Sequence, residues 1–320
     1  MITPRTFPWG LLALAAGVAL AMAAIAPVDY AWTVYLVQHR VDPAVSILRR
    51  TVFEGEPPGG SDLPIFGALA LLVCYFRATS ARAKPAWSKF RPWLGFLVIS
   101  TLAAGLGAVH TIKWIVGRAR PYSVVAGEHL PFTPWYVPGP HFVTEGLYRG
   151  SFPSGHTAAA FMFIAVAYAL AGDPLLPGRW RLAGWALGAV TLAYSVLMAV
   201  ASSMARSHWL SDAVGVVGLV WILVHGLYFW GLRVPDQRRY WHSHGKAPLA
   251  GRWELRFCAL GFPALLGLIA IGLGLRALTL QPVPYLAILV PLGVGMVAVF
   301  APKAWHLLRR LHRAVRKEAA

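Results

Sequence analysis

Apolar runs close to the length of a bilayer span recur along the whole chain, and they constrain its fold more than any other feature. A helix needs about 20 apolar residues to cross the hydrocarbon core of a membrane. Because backbone polar groups in lipid must find partners within the chain, such runs predict helices. We therefore expect an all-α fold, a polytopic membrane helix bundle. The eight predicted spans are residues 11–26, 63–76, 93–116, 154–171, 182–201, 213–232, 257–275 and 283–301.

The composition agrees with a membrane chain and argues against a large soluble domain. Of the 320 residues, 58% are hydrophobic and 13% are charged, whereas a soluble domain carries roughly 25% charged residues. We interpret residues 1–232 as a six-span core. Residues 233–320 then hold a basic loop, two extra transmembrane helices and a basic tail. Cys74 and Cys258 each lie in an apolar run, so neither a disulfide framework nor redox chemistry is expected.

The distribution of basic residues explains a formal net charge of +17 without a nucleic-acid partner. With the N-terminus assigned to the cytoplasm, 20 of the 29 Lys and Arg residues fall in cytoplasmic segments. This bias follows the positive-inside rule. It predicts that both termini are cytoplasmic and that the membrane, not nucleic acid, accounts for the charge.

Nine basic residues remain on the opposite side, and five of them lie beside the ends of predicted spans. Ionisable groups at the edge of the hydrocarbon are costly and usually functional. We therefore expect a site on this face, which holds Lys113, Arg118, Arg120, Arg149 and Arg206. Aromatic residues near the same ends are interpreted as an interfacial belt, namely Trp114, Trp135, Tyr136, Tyr148 and Trp209.

The stretch from Arg149 to Thr157 predicts a helix N-terminus on that face. Ser154 suits a helix N-cap, Gly155 permits close approach of a ligand to the main chain, and an apolar run follows. Free N–H groups and the helix dipole make such a terminus an anion site. His156 lies in its first turn. An ordinary capped helix is the alternative reading of this stretch alone.

A histidine and a carboxylate four residues apart occur where the fifth span meets the sixth. His208 and Asp212 lie on the face that carries the cationic residues and His156. Cationic side chains and free N–H groups form a cradle for a tetrahedral oxyanion such as phosphate. One histidine beside a carboxylate can act as a nucleophile, and a second as a general acid.

These three pieces together resemble the type 2 phosphatidic-acid phosphatase family, which includes bacterial lipid phosphatases and shares a core with vanadium haloperoxidases. The first family motif is Lys, six residues and Arg-Pro, and it matches residues 113–121. The second, Pro-Ser-Gly-His, matches residues 153–156. The third ends in His, three residues and Asp, and it matches His208 and Asp212. The resemblance covers roughly residues 1–232.

The resemblance implies a role for each matched residue. His208 attacks phosphorus and forms a phosphohistidine, Asp212 holds its ring in the reactive tautomer, and His156 protonates the leaving oxygen. The non-bridging oxygens are bound by Lys113, Arg120, Ser154 and the N–H of Gly155. The scheme uses no metal ion and no cofactor, because cationic side chains supply the positive charge.

The third motif departs from the family pattern at its first two positions. The family has Ser-Arg there, and this chain has Ala201 and Ser202. Arg206 follows one helical turn later, so our hypothesis is that Arg206 replaces the absent arginine as a phosphate ligand. An Arg206 that only faces lipid headgroups is the alternative.

The resemblance implies an integral membrane lipid phosphatase whose site opens at the periplasmic face of a bacterial inner membrane. Its substrate would be of the phosphatidic acid, phosphatidylglycerol phosphate, undecaprenyl pyrophosphate or lipid A phosphate type. Two alternatives stay open. One is a lipid phosphotransferase that uses the same phosphohistidine, and the other is a lipid-binding or transport relative with weakened catalysis.

Overall fold

The computed structural model of the chain describes residues 9–54, 62–80, 85–125, 130–146, 150–280 and 283–316. Within these residues the regular structure is helical and contains no strand, so the predicted all-α class is confirmed. The α-helices are α1 Trp9–Ile25, α2 Asp29–Gln38, α3 Asp42–Val45, α4 Asp62–Ala78, α5 Pro85–Ser88, α6 Arg91–Ser100, α7 Val109–Val116, α8 Pro121–Val125, α9 Gly155–Phe161, α10 Ile164–Ala171, α11 Gly178–Met204, α12 Leu210–Gly226, α13 Val234–His244, α14 Trp253–Thr279 and α15 Leu289–Arg316. Three π-helical segments interrupt them, at Ser46–Glu54, Thr101–Ala108 and Leu227–Gly231.

The helices establish an integral membrane protein, although not all eight predicted spans have full length. Five helical stretches are long and apolar enough to cross a membrane, namely Ala86–Val125, Gly178–Met204, Leu210–His244, Trp253–Thr279 and Pro284–Arg316. They contain the third, fifth, sixth, seventh and eighth predicted spans. The first span belongs to a pair, α1 and α2, that passes the same test together but bends by 67°.

The second and fourth predicted spans are helices shorter than a full crossing. They are Ile65–Ala78 and Gly155–Ala171. The fourth is short because its first turn is capped by Ser154 and cannot extend into the preceding loop. Its N-terminus is thereby recessed among the other helices, where it can face a site.

Polar contacts group the loops into two ends of the bundle. At one end Arg91 pairs with Glu254 at 3.0 Å, and Arg238 pairs with Asp173 at 2.6 Å. These pairs join the three loops that the charge count assigns to the cytoplasm. The loops assigned to the opposite side meet at the other end, around Ser151. An apolar core lies between the two ends.

The last two long helices pack on each other and also contact the rest of the bundle. A Cβ built on Gly267 of α14 would lie 2.7 Å from the carbonyl oxygen of Gly293 in α15, so the helices cross where both residues are glycine. Near the end of α14, buried Arg276 donates hydrogen bonds to the carbonyls of Gly139 and His141 at 2.6 and 2.7 Å. The C-terminal helices therefore hold the loop that precedes the second motif.

Candidate active site

The first motif lies on α7 and on the tight turn that ends it. Gly117 adopts a left-handed conformation with φ of 58°, and a Cβ there would lie only 1.8 Å from the carbonyl oxygen of His141. Only glycine fits this turn. Lys113 occupies the last turn of α7, and its buried Nζ donates to the carbonyls of Gly150 and Ser151 at 3.2 and 3.3 Å. Arg120 follows the turn and is half-buried.

The second motif forms the capped helix start that its residues predict. Ser154 is the N-cap of α9, and its Oγ accepts a hydrogen bond from the backbone N–H of Thr157 at 3.3 Å. The N–H of Ser154 donates to the carbonyl of Asp212 at 3.2 Å, which joins the second motif to the third. A Cβ built at Gly155 would meet no atom within 4 Å, so there is open space beside the first turn.

The third motif places the imidazole of His208 in a buried position between the other two. Its Nδ1 lies 2.9 Å from the carbonyl oxygen of Ser151 and 3.5 Å from Oδ2 of Asp212. A carbonyl can only accept, so Nδ1 carries the proton and Nε2 holds the free electron pair. The carbonyl of Ser151 thus receives both Lys113 and His208. Sequence reasoning missed this atom, because a backbone carbonyl leaves no residue-type signal.

The two histidines of the motifs lie on the same side of the bundle and close together. The ring centroids of His156 and His208 are 6.2 Å apart, and the ring planes are inclined by 64°. At this separation both rings can contact one phosphoryl group. His156 is half-buried, whereas His208 is 2% exposed.

The surroundings of His208 keep its ring neutral. Burial lowers the pKa of His208 to about 3, the hydrogen bond and charge of Asp212 oppose the shift, and the positive charges of Lys113 and Arg120 add to it. A neutral ring with a free Nε2 has the electronic form of a nucleophile.

Arg118 takes a position that the sequence did not predict. Its guanidinium is fully buried and donates to Oδ1 of Asp212 at 2.7 Å and to Oδ2 of Asp29 at 2.8 Å. Its Nε donates to the carbonyl of Thr133 at 2.7 Å. Arg118 therefore lies behind the third motif and binds protein carboxylates. The spacing of residues 113–121 could not reveal this, since Asp29 is distant in the chain.

Arg206 lies on an exposed turn between α11 and α12. Its backbone is left-handed with φ of 59°, and its side chain is exposed. Ser202, at the position of the family arginine, is buried, and its carbonyl accepts from the N–H of Ser207 at 3.0 Å. A second cation reaches this turn, because Arg49 donates to Oγ of Ser207 at 3.2 Å. The hypothesis on Arg206 stays a prediction.

The interpretation of Trp209 as part of an interfacial belt is wrong. Its side chain is 0% exposed, and its indole N–H donates to the carbonyl of Ala119 at 2.7 Å. Its ring stacks on Tyr30 with centroids 6.0 Å apart. Trp209 thus packs inside the site next to the nucleophile candidate. Tyr148 and Arg149 lie outside the described residues.

The arrangement as a whole joins a neutral histidine, a second histidine, two cationic side chains and a helix N-terminus. No group of three His, Cys, Asp or Glu residues that could hold a metal ion occurs in the described part of the chain. The chemistry available here is nucleophilic attack on, and charge stabilisation of, a tetrahedral oxyanion. A phosphoryl-transfer centre in a membrane protein is the class that this site defines.

The comparison with protein families agrees with that class. The model of the PAP2 superfamily matches residues 92–234, and this segment contains all three motifs. The resemblance to type 2 phosphatidic-acid phosphatases is thereby confirmed, and residues 92–234 are a PAP2-superfamily core within an integral membrane protein. Members of this superfamily are phosphatases, which supports a phosphoric ester hydrolase. Neither the curated proteins nor the solved structures give a significant match.

Proposed function

We propose that the protein is a metal-independent lipid phosphatase that works through a phosphohistidine on His208. The observation that carries the proposal is the convergence of the three motifs at the Ser151 carbonyl. Nζ of Lys113 and Nδ1 of His208 both reach this oxygen, and the ring of His156 lies 6.2 Å from that of His208.

In the first step Nε2 of His208 attacks phosphorus, and the bond between phosphorus and the ester oxygen breaks. His156 gives its proton to the departing alkoxide. The phosphoryl group is now bonded to Nε2 of His208, whose ring carries a positive charge. Asp212 and the Ser151 carbonyl stabilise this charge through the proton on Nδ1.

In the second step a water molecule attacks the phosphorus of the phosphohistidine. His156, now neutral, accepts a proton from the water, the bond between phosphorus and nitrogen breaks, and inorganic phosphate leaves. Lys113, Arg120 and the N-terminus of α9 stabilise the non-bridging oxygens in both steps. These groups supply the positive charge that a metal ion supplies in other phosphatases.

The position of the site supports a lipid substrate. Its residues come from helix ends, at the level where a lipid holds its phosphate, while the lipid tail stays in the bilayer. The charge distribution supports a periplasmic position for this end, in a bacterial inner membrane. We place the six-span core at residues 1–232 and treat residues 233–320 as a C-terminal addition.

The test is an assay of the purified protein in detergent with labelled phosphatidic acid, phosphatidylglycerol phosphate, undecaprenyl pyrophosphate and lipid A phosphate. Glycerol phosphate serves as the soluble comparison, and His208→Ala as the inactive control. We expect vanadate-sensitive release of inorganic phosphate from at least one lipid and little from glycerol phosphate. Label that appears on a second lipid would instead indicate a phosphotransferase. No turnover of any lipid would contradict the proposal and favour a binding or transport role.

A further inference from the structure

A buried charge network, formed by Asp29, Arg118 and Asp212, connects the N-terminal helices to the third motif. Asp29, at the start of α2, is 1% exposed, and its Oδ2 accepts from Arg118. Its Oδ1 accepts from the backbone N–H of Ser211 at 3.0 Å. Arg118 donates in turn to Oγ of Ser211 and to Oδ1 of Asp212, both at 2.7 Å.

The charge network reaches the nucleophile candidate, His208, through Asp212. The other oxygen of Asp212, Oδ2, accepts from the backbone N–H of Trp209 at 2.9 Å and lies 3.5 Å from Nδ1 of His208. Arg118 is enclosed by the rings of Phe132 and Trp209, each with its centroid 5.3 Å from the guanidinium carbon. Every group in this network is therefore held in place and shielded from solvent.

The summed charge of this network decides how strongly Asp212 attracts a positive charge on the His208 ring. One guanidinium between two carboxylates leaves a net charge of −1. With a single carboxylate, the positive charge of Arg118 would fall on Asp212 alone and cancel its attraction for a positive imidazole. Because the groups are buried, such a change is felt more strongly than it would be in water.

We propose that Asp29 is a positioning residue for the nucleophile, which shares Arg118 with Asp212 and so leaves one negative charge facing His208. The inference rests on the proposed phosphohistidine mechanism. It extends the functional unit beyond residues 92–234, the segment that matches the family, to the N-terminal helix pair. The bend between α1 and α2 lies immediately before Asp29.

The test is a charge-balance series in the purified protein. Asp29→Asn brings the summed charge of this network to zero, Arg118→Gln brings it to −2, and the double variant returns it to −1. We expect kcat to fall about tenfold or more in each single variant, with KM changed by less than about threefold. In the double variant we expect kcat to recover above that of both single variants. A purely structural role would change thermal stability and the folded fraction while kcat per folded protein stayed constant, so thermal unfolding of each variant is measured beside kcat.

A matched control comes from the other end of the bundle. Glu254 is equally buried, at 1% exposed, and accepts from Arg91 at 3.0 Å and from Tyr75 at 2.9 Å. Glu254→Gln removes a buried charge of the same kind far from the site. We expect it to lower thermal stability while kcat of the folded fraction stays within about twofold of wild type.

The outcomes separate this inference from the proposed function. If wild type and His208→Ala do not differ in any lipid phosphate assay, the phosphatase proposal fails. If they differ but kcat of Asp29→Asn stays within twofold of wild type, or the double variant is no better than the worse single variant, the role of Asp29 is overturned. Should Arg118→Gln not fold, the rate of phosphoenzyme formation in Asp29→Asn decides: about tenfold slower supports the role, and an unchanged rate contradicts it.

Discussion

His208 differs from a surface histidine because a backbone carbonyl, and not only its carboxylate partner, fixes its tautomer. Ser151 lies nearer to Nδ1 than Asp212 does, at 2.9 Å against 3.5 Å. Substitution of Ser151 leaves a carbonyl in place, so side-chain mutagenesis would not detect this contact. Asp212 contributes mainly through its negative charge, and the effect of that charge on His208 depends on Arg118 and Asp29.

The low pKa of His208 predicts a dependence of stability on pH. The folded protein keeps the ring neutral down to a pKa of about 3, whereas an unfolded chain protonates it near 6.5. Below pH 6.5 the unfolded state therefore binds the extra proton. The contribution is fully favourable above pH 6.5 and is lost at about 1.4 kcal/mol for each pH unit as the pH falls toward 3.

Equilibrium unfolding in mixed detergents between pH 7.5 and 4.5 measures this effect. His208→Gln lacks the titrating group and is the control. The difference in unfolding free energy between wild type and this variant should shrink or reverse as the pH is lowered. Parallel pH curves for the two proteins would contradict a buried neutral ring.

Two cations lie at the turn from Ser202 to His208: Arg206, which belongs to it, and Arg49, which donates to Ser207. Their roles can be separated. If Arg206 replaces the family arginine, Arg206→Ala should lower kcat/KM about tenfold to a hundredfold by removing a charged hydrogen bond to phosphate. Arg49→Ala should then have a smaller effect. The kinetics of both variants, with Arg50→Ala as an exposed neighbour control, decide the question. A large loss in Arg49→Ala beside near-normal Arg206→Ala would assign the role to Arg49 instead.

At the scale of single elements, the start of α9 can be tested without disturbing the fold. A Cβ at Gly155 has no neighbour within 4 Å, so Gly155→Ala should keep wild-type thermal stability. A methyl group there would occupy space beside the backbone N–H groups of the first turn, and we expect kcat/KM to fall about tenfold. Gly226→Ala, at a helical glycine with equal space, is the control. Wild-type activity in Gly155→Ala would argue against phosphate at this terminus.

The helix α14 supports the site through one side chain. Arg276 donates to the carbonyls of Ile115, Gly139 and His141, and it thereby ties the end of α7 to the long loop. Arg276→Met leaves three carbonyls without this donor, so we expect a loss of about 2–4 kcal/mol of stability and a higher KM for lipid. Thermal unfolding and lipid titration measure the two effects. Unchanged values for both would mean that the C-terminal helices do not support the site.

At the scale of the whole molecule, the sequence predicted the helical class and the convergence of the motifs, because both follow from patterns within short stretches. The cap at Ser154 was predicted from the same kind of local signal, whereas the αL turn at Gly117 was seen only in the structure. Asp29 and Arg276 could not be predicted, since their partners lie far away in the chain and are partly backbone carbonyls. The burial of Trp209 was missed for the same reason.

The two ends of the bundle differ in what their buried charges do. Arg91 with Glu254, and Arg238 with Asp173, join loops at one end. At the other end, the ion pairs of Arg118 with Asp29 and Asp212 hold the carboxylate that lies beside His208. Segments on both sides of residues 92–234 contribute to the second end, so the functional unit is larger than the family core.

The most direct measurement is a rapid-quench experiment with a ³²P-labelled lipid phosphate, followed by peptide mapping of the labelled protein. We predict a phosphoenzyme that is labile in acid, stable in base and located on His208. It should form in wild type and accumulate when His156 is replaced by Ala with an activated leaving group in the substrate. Label on any other residue, or turnover without a phosphoenzyme in both proteins, would contradict the mechanism.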